Sequence, residues 1–175
     1  MHLRGAYQPG NKMHIDVVQS KTIGIYAAYH VSQLMYEKHI YNALCDEYRD
    51  LFYAHRMLSE IESGERAVLL VRQNNVVVGC IHGVWENEGD FVCHIMFKRH
   101  VNALKACLLC EKAMKKFRKE RDLPFNHIVG HIWEKNRAAL VLGKRYGAVD
   151  VGVSEQCIWM NGYLLPCRKL VKEIM

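Results

Sequence analysis

The chemistry most readily drawn from this chain begins with two histidines, His82 and His94, on neighbouring apolar segments. The segments run from Val76 to Trp85 and from Phe91 to Phe97, joined by the polar Glu86-Asn-Glu-Gly-Asp90. A loop of this length admits several registers; folding the segments back symmetrically about Glu88 sets Trp85 opposite Phe91, Val84 opposite Val92 and His82 opposite His94. An imidazole titrates near neutrality, so either ring suits the removal of a proton from an amine. The competing account makes both of them structural rings on a strand. Glu86, Glu88 and Asp90 offer carboxylates to a cationic ligand, or simply a solvated turn.

Two further spacings resemble metal sites. Cys107-Leu-Leu-Cys110 has the gap of a zinc or redox pair, but it lies within a helical pattern and no second pair completes four ligands. His127 and His131 share one face of a strand, with no third ligand in view. No metal is expected. The seven cysteines are odd in number and scattered, which gives no disulfide framework. Cys45, Cys80, Cys93, Cys157 and Cys167 sit among apolar residues, as reduced thiols behaving as small hydrophobes do.

The elements that must position these groups follow from periodicity. Met13 to Gln19 alternates weakly and reads as an opening strand. Between Tyr26 and Ser63 there is neither proline nor glycine, and apolar residues such as Val31, Leu34, Met57 and Ile61 recur near helical spacing. The stretch predicts two helices with a bend near Tyr41 to Asp46, the second ended by Gly64. Ala67 to Arg72 is a strand, and Gln73-Asn-Asn75 turns it into the hairpin. Ala103 to Arg121 is an amphipathic helix, its apolar stripe running from Ala103 to Phe117 with Lys105, Lys112, Lys115, Arg118 and Lys119 outside. Leu123-Pro124 breaks the chain before a strand that begins at Phe125 or Asn126. Ala148 to Val153 and Gln156 to Met160 are closing strands, and the tail from Tyr163 carries a basic helical turn.

The chain has 175 residues, half of them hydrophobic and about a quarter charged, enough for one domain with a real core. No apolar run approaches the ~20 residues that cross a bilayer, and the amino terminus lacks a signal-peptide core. A cytoplasmic protein without a membrane partner is expected. The net charge of +6 favours an anionic partner, with nucleic acid, an acidic protein and a polyphosphate cofactor all open. Its basic residues form no single long block, so nucleic acid is the weakest of the three.

The last third carries the most specific pattern. A strand, His127-Ile-Val-Gly-His-Ile-Trp133, runs into a helix opened by Asn136 and closed at Tyr146-Gly147-Ala148. Asn136 suits an N-cap and Gly147 the left-handed residue beyond a helix end. The preceding helix has a basic approach, Lys98-Arg99-His100. Together these resemble the second half of the GCN5-related N-acetyltransferase (GNAT) fold. The resemblance implies a mixed α/β sheet, mostly antiparallel with one splayed parallel strand pair, and helices on both faces. It covers residues 1–160, with 161–175 as a C-terminal extension.

Acetyl-coenzyme A is the cofactor that the resemblance implies. Ile95, Met96 and Phe97 would then hold its pantetheine. His100, Val101, Asn102, Ala103, Leu104 and Lys105 would meet the pyrophosphate at the helix start, and Asn136 would contact the cofactor arm. Gly130 would allow a bulge or close approach of another group, or serve plain packing. The chain departs from the family in two places. The phosphate loop has none of the usual glycines, and Gly143 stands where many members carry a tyrosine acid. Such departures resemble the divergent GNAT-like proteins of bacteriophages. The implied activity is N-acetylation by direct attack of an unknown amine on the thioester, with His94 or His82 as base. The alternative is an inactive phage protein of the virion, or one that binds host proteins.

Overall fold

A computed structural model describes residues 12–18, 21–41, 53–87, 89–154 and 158–175. The expected bend from Tyr41 to Asp46 falls almost wholly outside the described residues. Strand β1 (Met13–Val18) is followed by helices α1 (Lys21–Met35), α2 (Lys38–Tyr41) and α3 (Tyr53–Ser63). Strands β2 (Arg66–Gln73), β3 (Val76–Glu86) and β4 (Asp90–Phe97) form a meander. Asn74 and Asn75 both take positive φ at its first turn, the mirror-image geometry that fits the twist of a two-residue hairpin. The second hairpin has the register that its symmetry predicts: Trp85 opposite Phe91, Val84 opposite Val92, His82 opposite His94.

Helix α4 (Ala103–Lys119) is capped by Asn102, whose side chain accepts from the Lys105 N–H. It leads to β5 (His127–Trp133), then α5 (Arg137–Arg145) and β6 (Val149–Val153). Asn136 caps α5 by accepting from the Ala139 N–H at 3.2 Å, and Gly147, at φ +95°, ends the helical region. A small hairpin, β7 (Ile158–Met160) with β8 (Tyr163–Leu165), precedes β9 (Cys167–Glu173).

Seven strands make one sheet in the order β1-β2-β3-β4-β5-β9-β6, antiparallel except for β4 with β5. Its two faces carry separate cores. Val68, Leu70, Cys80 and Met96 pack under α1 and α3, on Val31, Leu34, Tyr53 and Met57. Leu69, Ile81, Phe91 and Cys93 pack under α4, on Ala106, Cys107, Cys110 and Met114. Because consecutive strand residues face opposite ways, odd-numbered residues of β4 point to α4 and even-numbered ones to α1 and α3.

Two expectations are corrected. The tail forms no basic helical turn: β9 lies hydrogen-bonded between β5 and β6, so the last residues complete the sheet and are not an appendage to it. Arg118 is not on the solvated face of α4 but buried, its guanidinium 3.9 Å from the Trp85 ring and donating to the Pro124 carbonyl. A long side chain can lay its stem on apolar surface while its planar head stacks on an aromatic ring.

Candidate active site

The parallel pair parts almost as soon as it forms. β4 and β5 are in register only at Asp90 with His127, Phe91 with Ile128 and Val92 with Val129. Beyond that, β4 keeps its ladder to β3 as far as Phe97, and β5 keeps its ladder to β9 as far as Trp133. The two strands therefore diverge, each held by its outer neighbour. Lys98 donates its N–H to the Val78 carbonyl at 2.9 Å. Hydrogen bonding alternates along an antiparallel pair, so Met96, His94 and Val92 also turn their backbone groups towards β3. Cys93, Ile95 and Phe97 turn theirs towards the gap.

Of the three residues expected to hold pantetheine, Ile95 and Phe97 thus present backbone to the opening. Met96 does not: its backbone serves β3 and its side chain is buried in the core under α1 and α3. The Phe97 carbonyl accepts from His39 Nε2 at 3.0 Å, which ties α2 to the mouth of the gap. Across the gap, β5 has no bulge at Gly130. A Cβ built there would meet nothing nearer than Ile132 at 3.9 Å, so the glycine leaves open space where the strands part. Beneath the divergence, on the α4 side, lies a cavity of about 20 Å³ lined by Cys93, Ile95 and Tyr146, room for a single water. Backbone donors and acceptors, an open lane at Gly130 and a helix start at the gap's end fit an extended thioester-bearing arm.

At that helix start, the first-turn N–H groups of Ala103 and Leu104 have no intrahelical partner, as at any helix start. Arg99, His100 and Lys105 are exposed around it, while Val101 packs into the core under α4. Lys98 is engaged by Glu37 at 3.4 Å, which lowers the charge left for an anion. An exposed basic helix amino terminus is a favourable place for phosphate even without loop glycines.

Gly143, where the resemblance implies a tyrosine, is crowded: a side chain there would require Leu170 to shift. A Cβ at Gly143 would lie 2.4 Å from Leu170 Cδ2, a side chain buried in the sheet. Tyr146, one turn on, is already committed. Its hydroxyl donates to Glu111 Oε2 at 2.8 Å, and Glu111 also holds Lys115 and Lys172. Burial, and then the Glu111 carboxylate, push the Tyr146 hydroxyl pKa far up. Cys107 and Cys110 are buried in the same core, with burial raising the Cys107 thiol to about 12.

The two expected bases divide. His82 is 0 % exposed; its Nδ1 accepts from Arg66 Nη1 at 3.1 Å and lies 3.3 Å from the Tyr53 hydroxyl. Burial, His94 and Arg66 all hold it neutral, and its burial keeps a substrate amine from the ring. His94 is half-buried, stacked on His82 at 5.6 Å between ring centres. Burial, Arg66 and His131 lower its pKa to about 4. Sequence reasoning paired His131 only with His127, yet the fold gives the two separate partners. His127 Nδ1 lies 2.7 Å from Asp90, and His131 Nδ1 lies 2.7 Å from Ser154 Oγ. His94 and His131 each stand two residues past the last paired position, Val92 with Val129, and on the same face. They flank the point where the strands part.

No protein-family model and no curated protein matches this sequence. Solved structures do. An acetyltransferase from Salmonella typhimurium that modifies the N-terminal serine of ribosomal protein L7/L12 superposes with a TM-score of 0.68. It is 10% identical, over 93% of this chain and 95% of that one. Spermidine N-acetyltransferase from Vibrio cholerae, solved with CoA and spermine, gives 0.68 at 15% identity, over 92% and 95%. A GNAT-family acetyltransferase from Streptococcus pneumoniae gives 0.63 at 16%, over 92% and 100%.

The chain has the GNAT acetyltransferase fold. In the GNAT fold of this chain α5 packs against both α4 and β5, the second of the parting strands. The fold is shared with these proteins at 10–16% identity. Among the described residues, no helix is long and apolar enough to cross a membrane.

Proposed function

We propose that this protein transfers an acetyl group from acetyl-coenzyme A to the nitrogen of an amine. The observation that supports this most is the early end of the β4–β5 ladder while both outer ladders continue. It leaves peptide groups of Ile95 and Phe97 free of strand partners beside the open lane at Gly130. These would pair with the amides of the pantetheine arm. The exposed start of α4, with His100, Asn102, Ala103, Leu104 and Lys105, would meet the pyrophosphate, and Val101 would anchor the turn. Asn136, already the cap of α5, stands at the end of the second strand where the arm would pass.

When bound, the cofactor supplies an acyl carbon activated by its thioester. The chain's own residues position that carbon and manage protons. An amine arrives as ammonium, gives one proton to a base and attacks as the neutral nitrogen. The new carbon–nitrogen bond forms as the carbon–sulfur bond breaks, and the second proton shed by nitrogen goes to sulfur. His94 and His131 are the imidazoles at the point of divergence. Gly143 carries no side chain and Tyr146 is held by Glu111, so in this scheme the proton passes from nitrogen to sulfur without a side-chain acid. The acceptor amine belongs to a small molecule or a protein; the structural neighbours named above include proteins acting on each.

A second reading, a GNAT-fold protein without catalysis that serves a phage particle or binds host proteins, draws support from the glycine-free loop and the crowded position at Gly143. Calorimetric and thermal-shift titration with acetyl-coenzyme A separates the two. A ligand that binds only the folded state raises its apparent stability. The transferase reading expects a rise, weakened in His100→Ala and Lys105→Ala. An unchanged melting temperature at millimolar cofactor would favour the non-catalytic protein.

A further inference from the structure

On the face of the sheet opposite α4, the half formed by β5, β9 and β6 holds an open groove of about 400 Å³. Its floor is apolar: Val92, Val129, Val151 and Val153. Polar groups stand around that floor, among them Glu86, Asp90 and Lys169 as well as the His131–Ser154 pair. Val92 and Val129 are the last paired positions of β4 and β5, so the groove reaches the point where those strands part. Asp90 is bonded to His127, whereas half-buried Glu86 has no ion-pair partner among the described residues.

We infer that this groove receives an alkyl amine bearing a second ammonium group, and that His131, positioned by Ser154, takes the reacting nitrogen's proton. The base assignment rests on the transferase reading; the binding of the diamine does not. The valines suit a methylene stem and Glu86 suits the distal ammonium, with Asp90 adding negative potential. His131 Nδ1 is occupied by Ser154 Oγ, which leaves Nε2 as the nitrogen for the groove. When Nδ1–H donates to that hydroxyl, Nε2 carries the lone pair that a base needs. His94 is stacked on His82 and does not line the groove, and its depressed pKa makes it the weaker proton acceptor. In the transfer, the ammonium loses one proton to His131 Nε2, which passes it to water. The remaining two are accounted for by the amide N–H and the coenzyme A thiol.

The charged groups facing His131 are His94 on β4, Glu86 on β3, Asp90 on β4 and Lys169 on β9. Burial and Lys169 lower its pKa, and Glu86 opposes them.

Two probes, 1,5-diaminopentane and n-pentylamine, share one stem and differ by a single ammonium. Without acetyl-coenzyme A, the diamine is expected to shift the His131 ring resonances in NMR. It should bind about fivefold more tightly than the monoamine, as one half-exposed ion pair allows. Glu86→Gln should erase that difference. With acetyl-coenzyme A, His131→Gln should lower kcat by about 10²-fold and remove the acid limb of the pH–rate profile. Ser154→Ala should move that limb, and His94→Gln should retain it. No ring shift with either amine, in protein that still binds acetyl-coenzyme A, overturns the groove and spares the transferase reading. A ring shift in protein that does not bind acetyl-coenzyme A keeps the groove and sinks the transferase. A wild-type pH profile in both His131→Gln and Ser154→Ala overturns the base assignment.

Discussion

At the scale of single residues, the stacked imidazoles of His82 and His94 make stability depend on pH. His94 has a pKa of about 4 in the folded chain against 6.5 when free. Between those values the unfolded chain binds a proton that the folded chain does not. Stability therefore falls as the pH drops through that range, by on the order of 3 kcal/mol from His94 alone. His82, also held neutral, adds to the loss. Urea unfolding across the range should show the decline, and His94→Gln should flatten it; an unaltered slope in the variant would refute the assignment. The pairing of His82 with His94 follows one of the registers that the loop length admits, the symmetric one, and the structure adopts it. The partners of His131 were not. Ser154 lies on the far side of α5 in sequence, and only the insertion of β9 between β5 and β6 brings its hydroxyl to the ring.

Among the elements, β9 departs furthest from expectation. Cys167 and Leu170 are both buried, three residues apart, which mimics a helical stripe. In a strand these side chains point to opposite faces, and both faces are covered here, so the alternation that marks a half-buried strand is lost. β9 supplies the antiparallel partner for all of β5 and for β6. Ending the chain after residue 160 would strip both of hydrogen bonds and leave an open apolar edge. The expected loss exceeds the ~5–15 kcal/mol that holds a typical domain together. Circular dichroism and gel filtration of the truncated chain should show unfolded or aggregated protein; a monomer melting as the full chain does would refute this. Asn136, by contrast, was legible as a cap, since a cap bonds within its own first turn, whereas the Asn102 cap emerged only from the structure.

For the whole molecule, the unequal cover of the two faces matters most. α1 and α3 close the half of one face over β2 to β4, α4 packs on the other, and the face at β5, β9 and β6 keeps its groove. The chain's +6 charge surrounds a site proposed to take a polyanion. Screening shortens the reach of that charge from about 30 Å to about 3 Å between 0.01 and 1 M salt. Calorimetry should show acetyl-coenzyme A binding weakening several-fold over this range. Salt-independent affinity would mean that the basic start of α4 contributes no long-range attraction.

The sequence alone determined what depends on near neighbours: the helical stripes, the Asn136 cap and the order of the elements. Tertiary structure decided that the parallel pair parts after Val92 and Val129, that β9 completes the sheet, and that His131 meets Ser154. Each of these depends on which strand holds the outer edge of another. That choice is set by packing between segments far apart in the chain, and no local spacing encodes it.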